Sequence, residues 1–364
     1  MLYIYSSTRG TLRTLTMLTS VLALLVFSSQ LSAYGWLSEE QEKVQAANVV
    51  GPIKSDDNCE NCHGQESETW KETRHFATFK DQHKTPEAKK ILKALGEKSM
   101  KRSAECRQCH YTSTIKKEKV KTSFGVSCES CHGPAKEWLP LHSKVGGDLA
   151  GEDLKWGEGK NESADQRATR LGKAQEKGMI HSDMIYSIAK NCFACHTVPN
   201  EKVVNTGGHH SGSDFELVSW SQGEVRHNFS SSAGAPDSPT NAASSIEKTR
   251  RLYVTGLMVD LETTLDNIAH VSEKGGIFHK AMVTRANKTK IKLTALLAKI
   301  SIAELAPVLA SLPKVFDEST DTSKFPKLLS AATLRFLAAH DGSNLAAIDE
   351  LIPTQTKGTP YTGS

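Results

Sequence analysis

The spacing of apolar residues divides the chain near residue 240. Downstream, Leu252, Val259, Leu261, Leu265 and Ile268 fall along one side of a helix, and Ile291, Leu293, Leu296, Leu297 and Ile300 along one side of another. Leu305, Val308, Leu309 and Leu312 mark a third, and Leu328, Leu329, Leu334 and Leu337 a fourth. This pattern predicts a small helical bundle over 246–352, followed by a frayed, disordered tail over 353–364. Residues 231–245, rich in Ser, Ala and Pro, read as a linker.

Upstream, helical periodicity comes in short pieces. Residues 34–58 read as a polar lead-in. The stretch from Glu66 to His75 holds no Gly or Pro and predicts a helix with Trp70 and His75 available to one side. Residues 86–101 predict another, with Pro86 at its start and Ala88, Ile91, Leu92 and Leu95 at helical spacing. Ile115 to Val120 reads as an exposed hairpin. Residues 146–178 read as a solvated excursion with helix over Ala164–Lys177, and Ile180 to Lys190 as a helix. Thr197 to Gly212 reads as a loop ending in Gly207-Gly208-His209-His210-Ser211-Gly212, and 215–229 as a denser stretch. The predicted class is mainly α with little regular strand.

Four short words punctuate this upstream part, over 34–230. They are Cys59-Glu60-Asn61-Cys62-His63, Cys106-Arg107-Gln108-Cys109-His110, Cys128-Glu129-Ser130-Cys131-His132 and Cys192-Phe193-Ala194-Cys195-His196. Each is C-x-x-C-H, the attachment word for c-type haem. Two thiols add to the two vinyl groups of one porphyrin, so they must sit about one helical turn apart, and the His that follows is held under the iron as proximal ligand. The words use all eight cysteines of the chain. The competing reading is a zinc ribbon, in which paired C-x-x-C words share a metal, but that site has no need of a His after every second Cys. Four covalent haems also change the expected core. Aromatics make up only 6% of the chain, and porphyrins supply the large flat apolar surfaces instead. The apo chain is therefore expected to be unfolded up to about residue 230.

The N-terminus fits attachment outside the cytoplasm. Arg9 and Arg13 precede an apolar run from Leu15 to Phe27, and small residues follow as far as Ala33. Residues 1–33 read as a secretory signal peptide, with an uncleaved anchor as the alternative. The expected location is the periplasm or the cell surface, with the mature chain soluble or peripheral to a membrane. Removing Arg9 and Arg13 lowers the net charge of +4 by two, and haem propionates lower it further. The charge balance gives no case for nucleic acid.

Each low-spin haem wants a second strong axial ligand, and the remaining candidates are His75, His83, His142, His181, His209, His210, His227, His270, His279 and His340. The first word with Trp70-Lys71-Glu72-Thr73-Arg74-His75, the string Gly125-Val126-Ser127-Cys128-Glu129-Ser130-Cys131-His132-Gly133-Pro134 with His142, and the fourth word together resemble the tetrahaem cytochrome c-554 family. Its best-known member accepts electrons from hydroxylamine oxidoreductase in ammonia oxidisers. The resemblance covers about 55–230 and implies a multihaem cytochrome c fold with the haems as its core. It also implies that His75 serves the haem of His196 and that His142 serves the haem of His63. A His beyond the fourth word would serve the haem of His132; His227 is favoured over His209 and His210 because it sits in a compact, aromatic-flanked stretch. In the family, the haem of the second word, here on His110, lacks a sixth protein ligand. The Gly-Gly-His-His loop departs from that pattern, with His209 and His210 as candidates to close the site.

The leading expectation is an electron carrier between redox partner proteins, with the helical tail docking a partner, joining subunits or covering a haem. One alternative is a reductase of small nitrogen compounds at a five-coordinate haem on His110. The other is a subunit of a polymeric haem wire that exchanges distal ligands between neighbours.

Overall fold

The computed structural model describes residues 37–52, 59–144, 162–228 and 241–361. The expected signal peptide and most of the expected linker lie outside them. Among the described residues, no helix is long and apolar enough to cross a membrane, and the single sheet is a two-stranded hairpin.

The lead-in is a helix. α1 spans Glu39–Ala47 and opens on a capping box in which Ser38 and Gln41 satisfy each other's backbone N–H groups. Its Glu42 holds Arg107 of the second word through two bonds of 2.7 and 2.6 Å, so the segment docks on the site region.

The helix expected from Glu66 to His75 is broken. α2 covers Gly64–Lys71. Thr73 then turns extended, accepts the amide of Phe76 on its hydroxyl, and starts the short α3, Arg74–Ala77. The helix expected over 86–101 stops early as well. α4 is Pro86–Leu95, because Gly96 takes φ +72° and closes a C-cap with the Glu97 N–H on Leu92 O. The second word lies in α5, Ala104–His110. The hairpin, β1 Thr112–Lys116 and β2 Lys119–Phe124, is longer than expected and turns at Lys117 and Glu118, both with positive φ.

The third word forms α6, Cys128–His132, and α7 follows over Leu139–His142. α8, Ala164–Glu176, matches the helix expected within the excursion, but it is no solvated strut. Its Leu171 and Ala174 pack with Ala135, Trp138 and Met179. α9, Ile185–His196, carries the fourth word at its C-terminal end. The expected loop after it contains α10, Glu201–Asn205, capped by the Asn200 side chain. α11 is Leu217–Ser221.

The C-terminal part is helical as the periodicity suggests. It comprises α12 Ile246–Ala269, α13 Ile277–Lys299, α14 Ala306–Ser311, α15 Phe325–Ala339 and a 3-10 segment, Ser343–Leu351. α12 is buried on nearly every side, which explains its long apolar run between α9, α13 and α15. The main core therefore runs from Ile185 and Phe193 of the fourth-word helix through Leu257, Leu261, Met282 and Phe336 to Ile348. The stretch expected to fray is tied down: Lys357 pairs with Ser219 and Glu224 through its backbone, and Tyr361 O accepts from Asn241.

Candidate haem-binding site

Each word is set by its own local bonds. At the first, a 3-10 turn over Cys59–Asn61 lets the His63 amide bond Cys59 O at 2.8 Å, and Glu66 stands 3.8 Å from His63 Nδ1. That carboxylate raises the His63 imidazole above its ordinary value against the opposing effect of burial. The third word is the most heavily braced. Ser127 and Ser130 close a capping box, and Thr112 Oγ1 joins both hydroxyls at 2.9 and 2.7 Å. Glu129, 2% exposed, accepts the amides of Val50, Gly51 and Ala135 at 2.8–2.9 Å. Sequence reasoning singled out the string but gave Glu129 no role. A buried carboxylate that takes two of its three amides from Val50 and Gly51, almost 80 residues upstream, leaves little local signal.

The string Trp70-Lys71-Glu72-Thr73-Arg74-His75 also acquires a physical meaning. The Trp70 indole donates to Val126 O at 2.8 Å, pinning α2 to the third-word string, and the Thr73 cap then delivers His75 at the start of α3. Gly125 fits beneath α3, where a Cβ would sit 2.7 Å from Phe76 O.

The structure brings the histidines together in pairs. Ring centroids are 6.0 Å apart for His63 and His142, 6.3 Å for His75 and His196, 6.3 Å for His110 and His209, and 5.9 Å for His132 and His227. A metal takes an imidazole nitrogen at about 2 Å and that nitrogen lies about 1 Å from the ring centre, so two rings across one iron stand roughly 6 Å apart. Among the described residues, no three His, Cys, Asp or Glu side chains converge as a metal cage. Two imidazoles per site is the donor number a porphyrin leaves open, whereas structural zinc takes four protein ligands. His210 lies exposed beside His209 and accepts its Nδ1–H on the backbone carbonyl. His279 is buried packing, and His270 and His340 bond their own surroundings within the helical tail.

Three rings have their Nδ1 proton taken by a backbone carbonyl, whereas His142 Nδ1 faces the Arg170 guanidinium at 3.3 Å. Nδ1 of His132 donates to Ile180 O at 2.7 Å, that of His209 to His210 O at 2.8 Å, and that of His227 to Val225 O at 2.7 Å, which leaves Nε2 with its lone pair. Burial holds His110, His132 and His196 down to about 4 and His142 to about 3, so these rings are neutral at physiological pH. Arg170 reinforces the effect at His142, donating to His142 O at 2.9 Å while paired to Glu162 through two bonds of 2.6 Å.

The thiol environments differ: contact with a thiol of another word lowers Cys59 and Cys195 below the ordinary value. Burial pushes Cys131 up to about 11 and raises Cys106 and Cys192. Contacts between words also emerge: the thiol of Cys59 neighbours that of Cys128, the thiol of Cys109 neighbours that of Cys195, Cys195 Sγ reaches Gln108 O at 3.9 Å, and Asn191 donates to Cys131 O at 2.7 Å.

Attachment words with apposed imidazoles define the class of c-type cytochromes. The family of cytochrome c554 and c-prime matches residues 58–133, which hold the first three words. Over that stretch the chain is similar to the cytochrome c-554 family. Cytochrome c-554 of Nitrosomonas europaea is 29% identical over 111 residues, covering 28% of this chain and 47% of that protein. The chain thus matches about half the length of this relative. No solved structure matches it. The likeness is to a family of c-type cytochromes, whose haem c is bound covalently.

Proposed function

We propose that the chain is an exported tetrahaem cytochrome that carries electrons between redox partner proteins. Haem c would be attached at Cys59 and Cys62, Cys106 and Cys109, Cys128 and Cys131, and Cys192 and Cys195. The irons would lie between His63 and His142, His110 and His209, His132 and His227, and His196 and His75. The observation that carries this reading is one geometry recurring four times: a word-final His faces a second imidazole at 5.9–6.3 Å.

Haem iron supplies one-electron exchange, and the chain's task is to hold it still. Two fixed imidazoles per iron keep the ligand set unchanged between oxidation states. The contacts between words suggest a run in the order first, third, fourth, second. The first and third adjoin through Cys59 and Cys128, the third and fourth through Asn191, and the fourth and second through Cys195 and Cys109. The first and second words then form the two ends, where donor and acceptor would dock. Glu66 behind His63 adds imidazolate character there and favours a lower potential at the first haem.

A reductase would need an open coordination position at His110, and the His209 ring opposite it counts against one. A wire that exchanges ligands between neighbours would leave proximal rings without intrachain partners, and each of the four has one. Low-temperature electron paramagnetic resonance of the oxidised protein tests the reading. Four low-spin ferric haems are expected, and a high-spin haem in the native chain would favour the reductase.

A further inference from the structure

α10 lies between two parts of the molecule and bonds to both. Toward the second word, Asn200 donates to Glu105 of α5 at 2.6 Å and Lys202 pairs with the same carboxylate at 3.3 Å. Toward the helical tail, Glu201 accepts the amides of Ser272 and Glu273 at 2.9 and 2.7 Å, together with the Ser272 hydroxyl. Asn205 donates to Glu273 at 2.7 Å and accepts the Phe278 amide, at the start of α13, at 2.8 Å. Val204 is buried in the same core as Phe278. His209 hangs directly from this strut, its amide on Val203 O at 3.2 Å. Beyond it, Arg285 of α13 fixes Ser213 O at 2.8 Å. Both ends of the segment that carries His209 are thus held by the tail.

We infer that the C-terminal helices act as a clamp that keeps His209 over the iron of the second word, closing a site that would otherwise accept an external ligand. The inference rests on the ligation reading above. Glu201 and Asn205 are positioning residues that touch no iron. Their energetic role is to remove the conformational freedom of 206–212, so that the ligand-on state dominates. Without the clamp, the fraction of molecules with His209 detached rises, and the apparent affinity for an external ligand rises by the same factor.

The test uses the purified holoprotein and cyanide. The parent chain is compared with Glu201→Ala/Asn205→Ala, and His209→Ala serves as the fully open reference. In the double variant one haem in four should bind cyanide about tenfold more tightly than in the parent, with a high-spin fraction at that haem and the other three unchanged. The single Asn205→Ala variant should show a smaller shift of the same kind, which keeps the test decisive if the double variant does not accumulate. Cyanide binding equal to that of the parent in both clamp variants, while His209→Ala opens the site, overturns the clamp alone. So does a parent chain that already binds cyanide as His209→Ala does. A chain without four haems removes the ligation reading on which the clamp depends, and the two failures are told apart by haem content.

Discussion

Single side chains decide whether the words are held in place. Glu129 joins the lead-in at Val50 and Gly51, almost 80 residues upstream, to the turn at Ala135. Replacing it by Ala leaves three backbone amides without acceptors in a buried place. Glu129→Ala should therefore cost about 3 kcal/mol or more in urea unfolding of the holoprotein. The histidines set the acid limit. Burial keeps His110, His132, His196 and His142 neutral in the folded chain, where the proposed bond to iron would also block their protonation, whereas in an unfolded chain they titrate near the ordinary value of about 6.5. As pH falls through about 6.5 the unfolded chain binds more protons than the folded one, so stability falls. Urea midpoints measured from about pH 7 to about pH 5 should decline together with proton uptake on unfolding; a flat profile would contradict this.

At the scale of elements, the close approach of the third-word string to α3 depends on the absence of a side chain at Gly125. A methyl group there meets the carbonyl of Phe76 and the hydroxyl of Thr78, both at 2.7 Å, and backbone must move. Gly125→Ala should destabilise by about 1–3 kcal/mol and disturb the haem proposed to be served by His75 more than the rest, read as a change in that haem's low-spin signal. Elements differ in how far the sequence alone revealed them. The tail helices were legible because apolar residues at helical spacing have one meaning over long runs. α1 was missed although Ser38 and Gln41 spell its capping box, because Glu-rich residues 39–42 carry no apolar stripe. α10 was missed because five residues hold too little periodicity, and its bonds to Glu105, Glu273 and Phe278 lie far off in the chain. The words themselves were plain. The partners of the proximal rings were not readable from spacing: only the likeness to a family suggested that His75, some 120 residues upstream of His196, would come to face it.

For the whole molecule, the core is divided unequally. The large apolar cluster runs from Ile185 to Ile352, whereas around the first three words the clusters are small, Ala135 with Trp138 and Leu171, and Ala88 with Met100 and Tyr111. Chain made without haem attachment should keep a cooperative unfolding transition from the C-terminal helices. Limited proteolysis should remove the upstream part and leave a resistant fragment beginning near residue 180. Uniform digestion would show that the tail, too, needs the cofactors. The tail thus emerges as the stable body against which the fourth-word helix and α10 are fixed, and the words upstream depend on what is bound to them.

The central claim is that porphyrin is joined by thioether bonds at all four words. Intact mass spectrometry of the purified protein after denaturation measures this directly. The expected mass is that of the polypeptide plus four haems, with colour retained. A colourless chain of bare polypeptide mass, with free or paired thiols, would contradict the account.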